Sequence, residues 1–274
     1  MNIPNRVTRL SNLLLGLFLA RLRPCNIAIF HLGRSGSRLL GELLRQHPKI
    51  VYQGELLSPG RLNAQAEGRS LQARMARKPM RYLNHRFLMA GTRCYSFETQ
   101  PTQIQQLEMG LEEYADRLEK LGFSHFVLLE RKNHLRRIVS MLVARSTSQW
   151  HLKSGDTPKL ARIELDVERL LLGRGSDTKR RSLVEHLQRE QESLSELKHV
   201  LGGRRLLCLT YEGDLAASPE QTYRRVCDFA GLGYHQVTVP FGKTNPFKLR
   251  DIVINFSDVE RVLRGTSFEW MLYS

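Results

Sequence analysis

Asn26-Ile-Ala-Ile-Phe-His31-Leu-Gly33-Arg34-Ser35-Gly36-Ser37-Arg38-Leu-Leu40-Gly-Glu-Leu-Leu44 decides how the rest of the chain reads. Its first seven residues are mostly apolar and rich in branched side chains, the composition of a buried strand. Gly33 closes that run, and a turn of small residues follows. Leu39, Leu40, Leu43 and Leu44 then recur at helical spacing as far as His47-Pro48, where the proline ends the helix. A strand, a glycine turn and a helix in this order open a nucleotide-binding α/β unit. The turn also suits an anion. Its glycines permit close approach of the backbone, and the first helical amides point outward without partners. Arg34 adds a positive charge, and Ser35 and Ser37 add hydroxyl donors.

Working outward, strands are expected at Ile50–Tyr52, Phe87–Tyr95, Phe123–Glu130 and Arg205–Leu209. Helices are expected at Thr102–Leu121, Asn133–Arg145, Ser182–Val200 and Pro219–Ala230. This alternation predicts an α/β domain whose mostly parallel sheet is covered by helices on both faces. The polar, basic segments Ser58–Pro79 and Ser146–Leu160 read as insertions or lids over a site. No internal repeat or low-complexity tract interrupts the pattern.

The chain has 274 residues, enough for a full core, and 41% hydrophobic and 25% charged residues argue against disorder. Lys and Arg number 42 against 27 Asp and Glu, a net charge of +15 that calls for anionic company. Cys25, Cys94, Cys208 and Cys227 are scattered and form no CxxC pair, so neither zinc nor an oxidising compartment is implied. Those at 25, 94 and 208 sit in or beside apolar runs and are expected to be buried thiols. At the amino terminus, Leu10–Ala20 is apolar and flanked by Arg6, Arg9, Arg21 and Arg23, but it is shorter than the roughly 20 residues a bilayer span needs. Residues 1–23 therefore form a helical extension, docked on the domain or lying on a membrane surface, and residues 24–274 form the domain itself.

Phe126-Val-Leu-Leu-Glu-Arg131-Lys132-Asn133 supplies a second basic corner, a strand ending in two cations followed by a helix that carries Ser140. Two anion sites on separate strand–helix corners suit a nucleotide with phosphate on both its 3' and 5' positions. The first loop is not GxxxxGK followed by Ser or Thr, because Ser37-Arg38 follows Gly36. That weakens a kinase-like phosphotransferase of the same fold, which would need Mg²⁺. A nucleic-acid-binding protein would share the charge, but no recognition helix, zinc pattern or ribonucleoprotein motif is found.

At these residues the chain resembles the sulfotransferases that use 3'-phosphoadenosine-5'-phosphosulfate (PAPS). Gly33–Ser37 is similar to their 5'-phosphosulfate loop, and Leu128–Ser140 to their 3'-phosphate strand and helix. Arg34–Ser37, Gly54-Glu55 and Arg131–Ser140 together resemble the bacterial trehalose sulfotransferase-like and nodulation-factor sulfotransferases. Leu209–Glu212, Ser218–Glu220 and Phe229–Leu232 are similar to a later stretch common in that family.

The resemblance implies a P-loop-NTPase-like three-layer sandwich and transfer of a sulfuryl group from PAPS to a carbohydrate or glycolipid hydroxyl. It leaves adenosine 3',5'-bisphosphate as product and requires no metal. It implies a donor site at Gly33, Arg34, Ser35, Gly36, Ser37, Arg38, Ser140, Tyr211 and Lys243, with Arg131, Lys132 or both on the 3'-phosphate. The family's Arg at the second of these two positions is Lys132 here. Glu55 is the implied base and His31 the alternative, with Arg34 stabilising the transferring group. Arg93, placed at the end of a strand, and Trp150 are expected near the acceptor. A homodimer, no nucleic acid, and a cytoplasmic location with peripheral membrane contact through residues 6–23 complete the expectations.

Overall fold

A computed structural model describes residues 11, 13, 15–16, 18, 20, 23–67, 77–172, 179–243 and 245–273. Five strands form its sheet: β1 (Asn26–Phe30), β2 (Ile50–Glu55), β3 (Cys94–Thr99), β4 (His125–Glu130) and β5 (Leu206–Thr210). They lie in the order β2-β3-β1-β4-β5, and every pairing is parallel. The helices are α1 (Ser37–Gln46), α2 (Pro59–Ala66), α3 (Pro79–Leu88), α4 (Pro101–Gln106), α5 (Leu111–Leu121), α6 (His134–Thr147), α7 (Leu183–Gly202), α8 (Pro219–Phe229), α9 (Leu249–Ile252) and α10 (Phe256–Leu263).

The alternation of side chains along β1 shows how the layers are built. Ala28 and Phe30 face a cluster with Tyr95, Phe97, Phe126, Tyr114 and Leu118, closed by Leu197 and Leu201 of α7. Ile27 and Ile29 face the other way, onto Leu40, Leu43 and Leu44 of α1 and Tyr223 and Val226 of α8. All five residues of β1 are buried, as a central parallel strand requires. A third cluster joins Leu135, Ile138 and Val139 of α6 to the carboxy-terminal elements through Phe256, Val259 and Leu272. The fold is the α/β three-layer sandwich that the sequence predicts.

Several boundaries differ from expectation. Phe87–Tyr95 is not a strand: Phe87 and Leu88 end α3, and β3 begins at Cys94. The apolar run there is the buried face of a helix, which periodicity alone cannot separate from a strand in so short a window. Thr102–Leu121 is two helices, interrupted where Glu108 takes φ +56°. Cys208 is exposed rather than buried, because β5 is an edge strand of the sheet. Of the amino-terminal run, residues 11, 13, 15, 16 and 18 are helical. A Cβ added to Gly16 would fall 2.0 Å from the Leu88 carbonyl oxygen, so this turn is docked against the end of α3. The expectations for residues 1–10, 21–22 and the basic stretch 68–76 lie outside the described residues. No helix among those described is long and apolar enough to cross a membrane.

Candidate active site

From β1 the chain crosses over β3 to the edge strand β2, whereas β4 leads the other way to β5. The crevice at the carboxyl ends of β1 and β4 is therefore the topological switch point, where ligands of open α/β sheets bind. The loop after β1 sits there. Gly33 and Gly36 have φ +84° and Arg34 +51°, so three of four consecutive residues occupy the left-handed region. Such a winding gathers backbone N–H groups into a concave anion cradle. Gly36 meets a second demand, since a Cβ there would lie 2.6 Å from Leu215 Cδ2 and 2.9 Å from Tyr211 Cδ2. It caps α1 without any side-chain partner, which leaves the helix start open. Ser35 is buried, and its hydroxyl donates to the Gly33 carbonyl (3.1 Å), so it shapes the loop.

The second basic corner folds onto the first. Arg34 reaches Ser140 on α6 with Nε (3.2 Å) and Nη2 (2.9 Å), and Nη1 donates to the Trp150 carbonyl (2.8 Å). Arg131 returns the contact, Nη1 donating to the Arg34 carbonyl at 3.0 Å, while its guanidinium covers the Tyr211 ring at 4.7 Å. Arg137, which sequence reasoning did not single out, lines the same cleft and donates to the Leu32 carbonyl (3.0 Å). Burial and then the neighbouring Arg131 pull the Arg34 pKa down to about 10, which leaves it charged at neutral pH. Arg137 is paired with Glu190 and Arg131 lies 3.8 Å from Glu212. Among the described residues no carboxylate pairs with Arg34, whose guanidinium is hydrogen-bonded to neutral oxygen atoms and lies over the Trp150 ring at 5.8 Å. A half-buried cation without a counter-ion, crowded by two more, is a site prepared for an anion.

Lys132 is not part of this corner. Its side chain is exposed outside the cleft, and its backbone N–H is held by Glu212 Oε2 (3.0 Å). The strand ends at Glu130, so of the basic pair Arg131 turns inward and Lys132 outward. Arg93 is also misplaced by the sequence reading: it precedes β3 at the amino-terminal edge of the sheet, is exposed, and cannot face a site at the opposite edge. Arg38, Tyr211, Trp150 and Lys243 all line the cleft.

Glu55 ends β2 just after an irregularity between Tyr52 and Glu55, where Gly54 takes φ +63°. That bulge turns the carboxylate into the cleft. Gln100 Nε2 donates to Oε1 (2.8 Å) and Gln103 Nε2 to Oε2 (2.7 Å). His31, 1% exposed, lies beneath the loop. Its Nδ1 accepts the Gly33 N–H at 2.9 Å, and Nε2 faces Glu98 Oε2 at 3.4 Å. It does not line the cleft, so it supports the loop and has no access to an acceptor. Burial opposes its protonation, but the hydrogen bond and charge of Glu98 outweigh this and raise its pKa. Glu98 is held below the usual carboxylate range: burial works to raise it, and His31, Ser37 and Tyr52 pull it down further. One ligand atom each from His31, Glu55 and Glu98 lies within 4.8 Å of the others. Because both Glu55 oxygens accept amide hydrogens and His31 Nδ1 is engaged by Gly33, we read this group as a hydrogen-bonded network.

The cleft enclosing both regions has a volume of about 1640 Å³. One side carries Arg34, Arg131, Ser140 and Tyr211, and the other Gln53, Glu55, Ser58, Thr102 and Gln103. No family model matches this sequence, and no curated protein does. Among solved structures, a sulfotransferase from Alicyclobacillus acidocaldarius is similar at 17% sequence identity with a TM-score of 0.43. The alignment covers 81% of this chain and 87% of that one.

Proposed function

We propose that this chain is a sulfotransferase that moves a sulfuryl group from PAPS to a hydroxyl of a carbohydrate or glycolipid. The observation that carries the reading is Arg34. It joins the loop after β1 to Ser140 on the helix after β4, has no carboxylate partner among the described residues, and lies beside Arg131 and Arg137. Two anion-binding corners in one crevice fit a nucleotide with phosphates at both its 5' and 3' positions. The loop amides, Ser37 and Arg34 would hold the 5' end, and Arg131 and Ser140 the 3' phosphate. Tyr211, already stacked under Arg131, offers its ring to the base.

PAPS supplies an activated sulfuryl group, so positioning and charge stabilisation do most of the catalytic work. Arg34 and the amides at the start of α1 face the charge that gathers on the leaving phosphate. Glu55 takes the proton from the acceptor oxygen as that oxygen bonds to sulfur and the bridging S–O bond breaks. The wall around Glu55 includes amides and hydroxyls, from Gln53, Ser58, Gln100, Thr102 and Gln103, beside Arg61 and Arg86, which suits a polyhydroxylated acceptor. Exposed Leu15 and Phe18 on the amino-terminal helix support contact with a lipid surface carrying such an acceptor.

Calorimetric titration with adenosine 3',5'-bisphosphate in the absence of Mg²⁺ tests the donor site. Micromolar binding that weakens at least tenfold in both Arg34→Ala and Ser140→Ala, with weak binding of ATP, supports the reading. Tighter binding of ATP with Mg²⁺ than of the bisphosphate overturns it in favour of a phosphotransferase.

A further inference from the structure

We infer that Gln100 and Gln103 are positioning residues for Glu55, aiming its carboxylate from the start of α4 beside the anion loop. This rests on the reading of Glu55 as the base. Gln100 is the residue before α4, and its backbone N–H donates to Gln103 Oε1 at 3.3 Å. That bond fixes which way the Gln103 amide points: its oxygen faces the backbone, and its nitrogen is left for Glu55 Oε2. Gln103 is only 5% exposed, an uncommon degree of burial for an amide in a six-residue helix at the edge of a cleft. Gln100 uses its nitrogen on Glu55 Oε1 and turns its oxygen toward Gly33, 3.1 Å from where a Cβ would stand. One amide therefore hydrogen-bonds the carboxylate that would deprotonate the acceptor and lies beside the loop that would hold the donor.

Neutral donors matter here. A guanidinium on Glu55 would hold it firmly but weaken it as a base, whereas amides fix its direction at less cost to its proton affinity. The charged and titratable groups sharing this corner include Tyr52 on β2, Glu98 on β3, His31 after β1, Arg34 in the loop, Arg61 on α2, Arg86 on α3 and Arg137 on α6. Arg61 and Arg86 are turned to Gln53, through its backbone carbonyl and its side-chain oxygen respectively, and among the described residues the two amides are what hydrogen-bonds the Glu55 carboxylate.

Gln103→Glu is the decisive variant. It preserves shape and the acceptor for the Gln100 N–H, but replaces the donor to Glu55 with a second carboxylate. Glu55 titration is read from infrared carboxylate bands as the difference from Glu55→Gln, and turnover as bisphosphate release from PAPS with water as acceptor. The expected result is a Glu55 titration about one pH unit higher. The acidic limb of turnover should move with it, kcat should fall about tenfold near neutral pH, and bisphosphate affinity should stay within about twofold. A merely structural role would not move the titration. Gln103→Met, which removes the donor without adding charge, should raise the titration by less and lower kcat without changing bisphosphate affinity; it also serves if Gln103→Glu does not fold. A Glu55 titration within about 0.3 units of wild type in Gln103→Glu overturns the inference. If Glu55→Gln keeps full turnover, the base reading fails and the inference falls with it. If Glu55→Gln is inactive with bisphosphate binding intact while Gln103→Glu matches wild type, only the positioning role fails.

Discussion

Replacing Gly36 by alanine adds one methyl group where the loop after β1 has no room for it. The penalty has two separable parts. The backbone at φ +84° costs a residue with a side chain about 1–2 kcal/mol. The new Cβ would also stand 2.6 Å from Leu215 Cδ2 and 2.9 Å from Tyr211 Cδ2, well inside van der Waals contact. Relieving such overpacking costs about 1–3 kcal/mol, so the expected loss is about 2–5 kcal/mol. Gly231 offers the control: its φ is +68°, but nothing lies within 4 Å of its missing Cβ, so alanine there should cost only the backbone part. Urea denaturation followed by circular dichroism measures both, and the difference isolates the packing at Gly36. Trimming the obstruction with Leu215→Ala should return part of the Gly36→Ala loss beyond simple additivity. A Gly36→Ala loss no larger than that of Gly231→Ala would refute the claim that the anion loop is packed directly against the turn following β5.

Arg137→Met should destabilise the protein by about 3 kcal/mol, because it takes the arginine from the largely buried Glu190 and leaves it facing His134 at 3.2 Å. Glu190→Gln in the same background should recover much of that loss in denaturant titrations. The same carboxylate sets a pH response. Burial would raise its pKa, but Arg137 and His134 together hold it below the usual range. Its stabilisation is thus complete above the unfolded value of about 4.3 and fades as pH falls through the lower folded value. The denaturation midpoint should drop more steeply below about pH 4.3 in wild type than in Glu190→Gln; parallel curves would refute the assignment. Finally, Cys208 is exposed whereas Cys25, Cys94 and Cys227 are buried. A thiol reagent should modify one cysteine in the native protein and four in urea, and Cys208→Ser should abolish the native reaction.

The decisive stretch was readable because its pattern is local. An apolar strand, two glycines and four leucines at helical spacing leave few alternatives, and the loop they define lies at the crevice between β1 and β4. The basic corner at Arg131 and Ser140 was legible for the same reason. Lys132 and Arg93 show where that legibility stops. Which of two adjacent cations faces a cleft depends on where β4 ends, and which edge of the sheet carries Arg93 depends on where β3 begins. The end of β4 at Glu130 matches the apolar run but does not say which cation turns inward, whereas β3 begins seven residues later than its apolar run suggests. Gln100, Gln103 and Glu98 left no sequence signal. Their roles arise from the pairing of β2 with β3, which brings Glu55 beside Glu98 across more than forty residues. Arg137 could have been found, since it stands three residues before Ser140 on the same helix, but Arg136, four residues before Ser140, offered an equal claim.

The bonds between Arg34 and Ser140 have a kinetic meaning as well as a structural one. An anion arriving at Ser140 finds the hydroxyl already engaged by two nitrogens of the arginine, whose third is anchored to the Trp150 carbonyl. Capture of the ligand is then an exchange of partners: the side chain must release one set of oxygens before it can close on another. In rapid mixing, such a step makes the observed rate level off with ligand concentration instead of climbing in proportion to it. The ceiling would report how often Arg34 lets go.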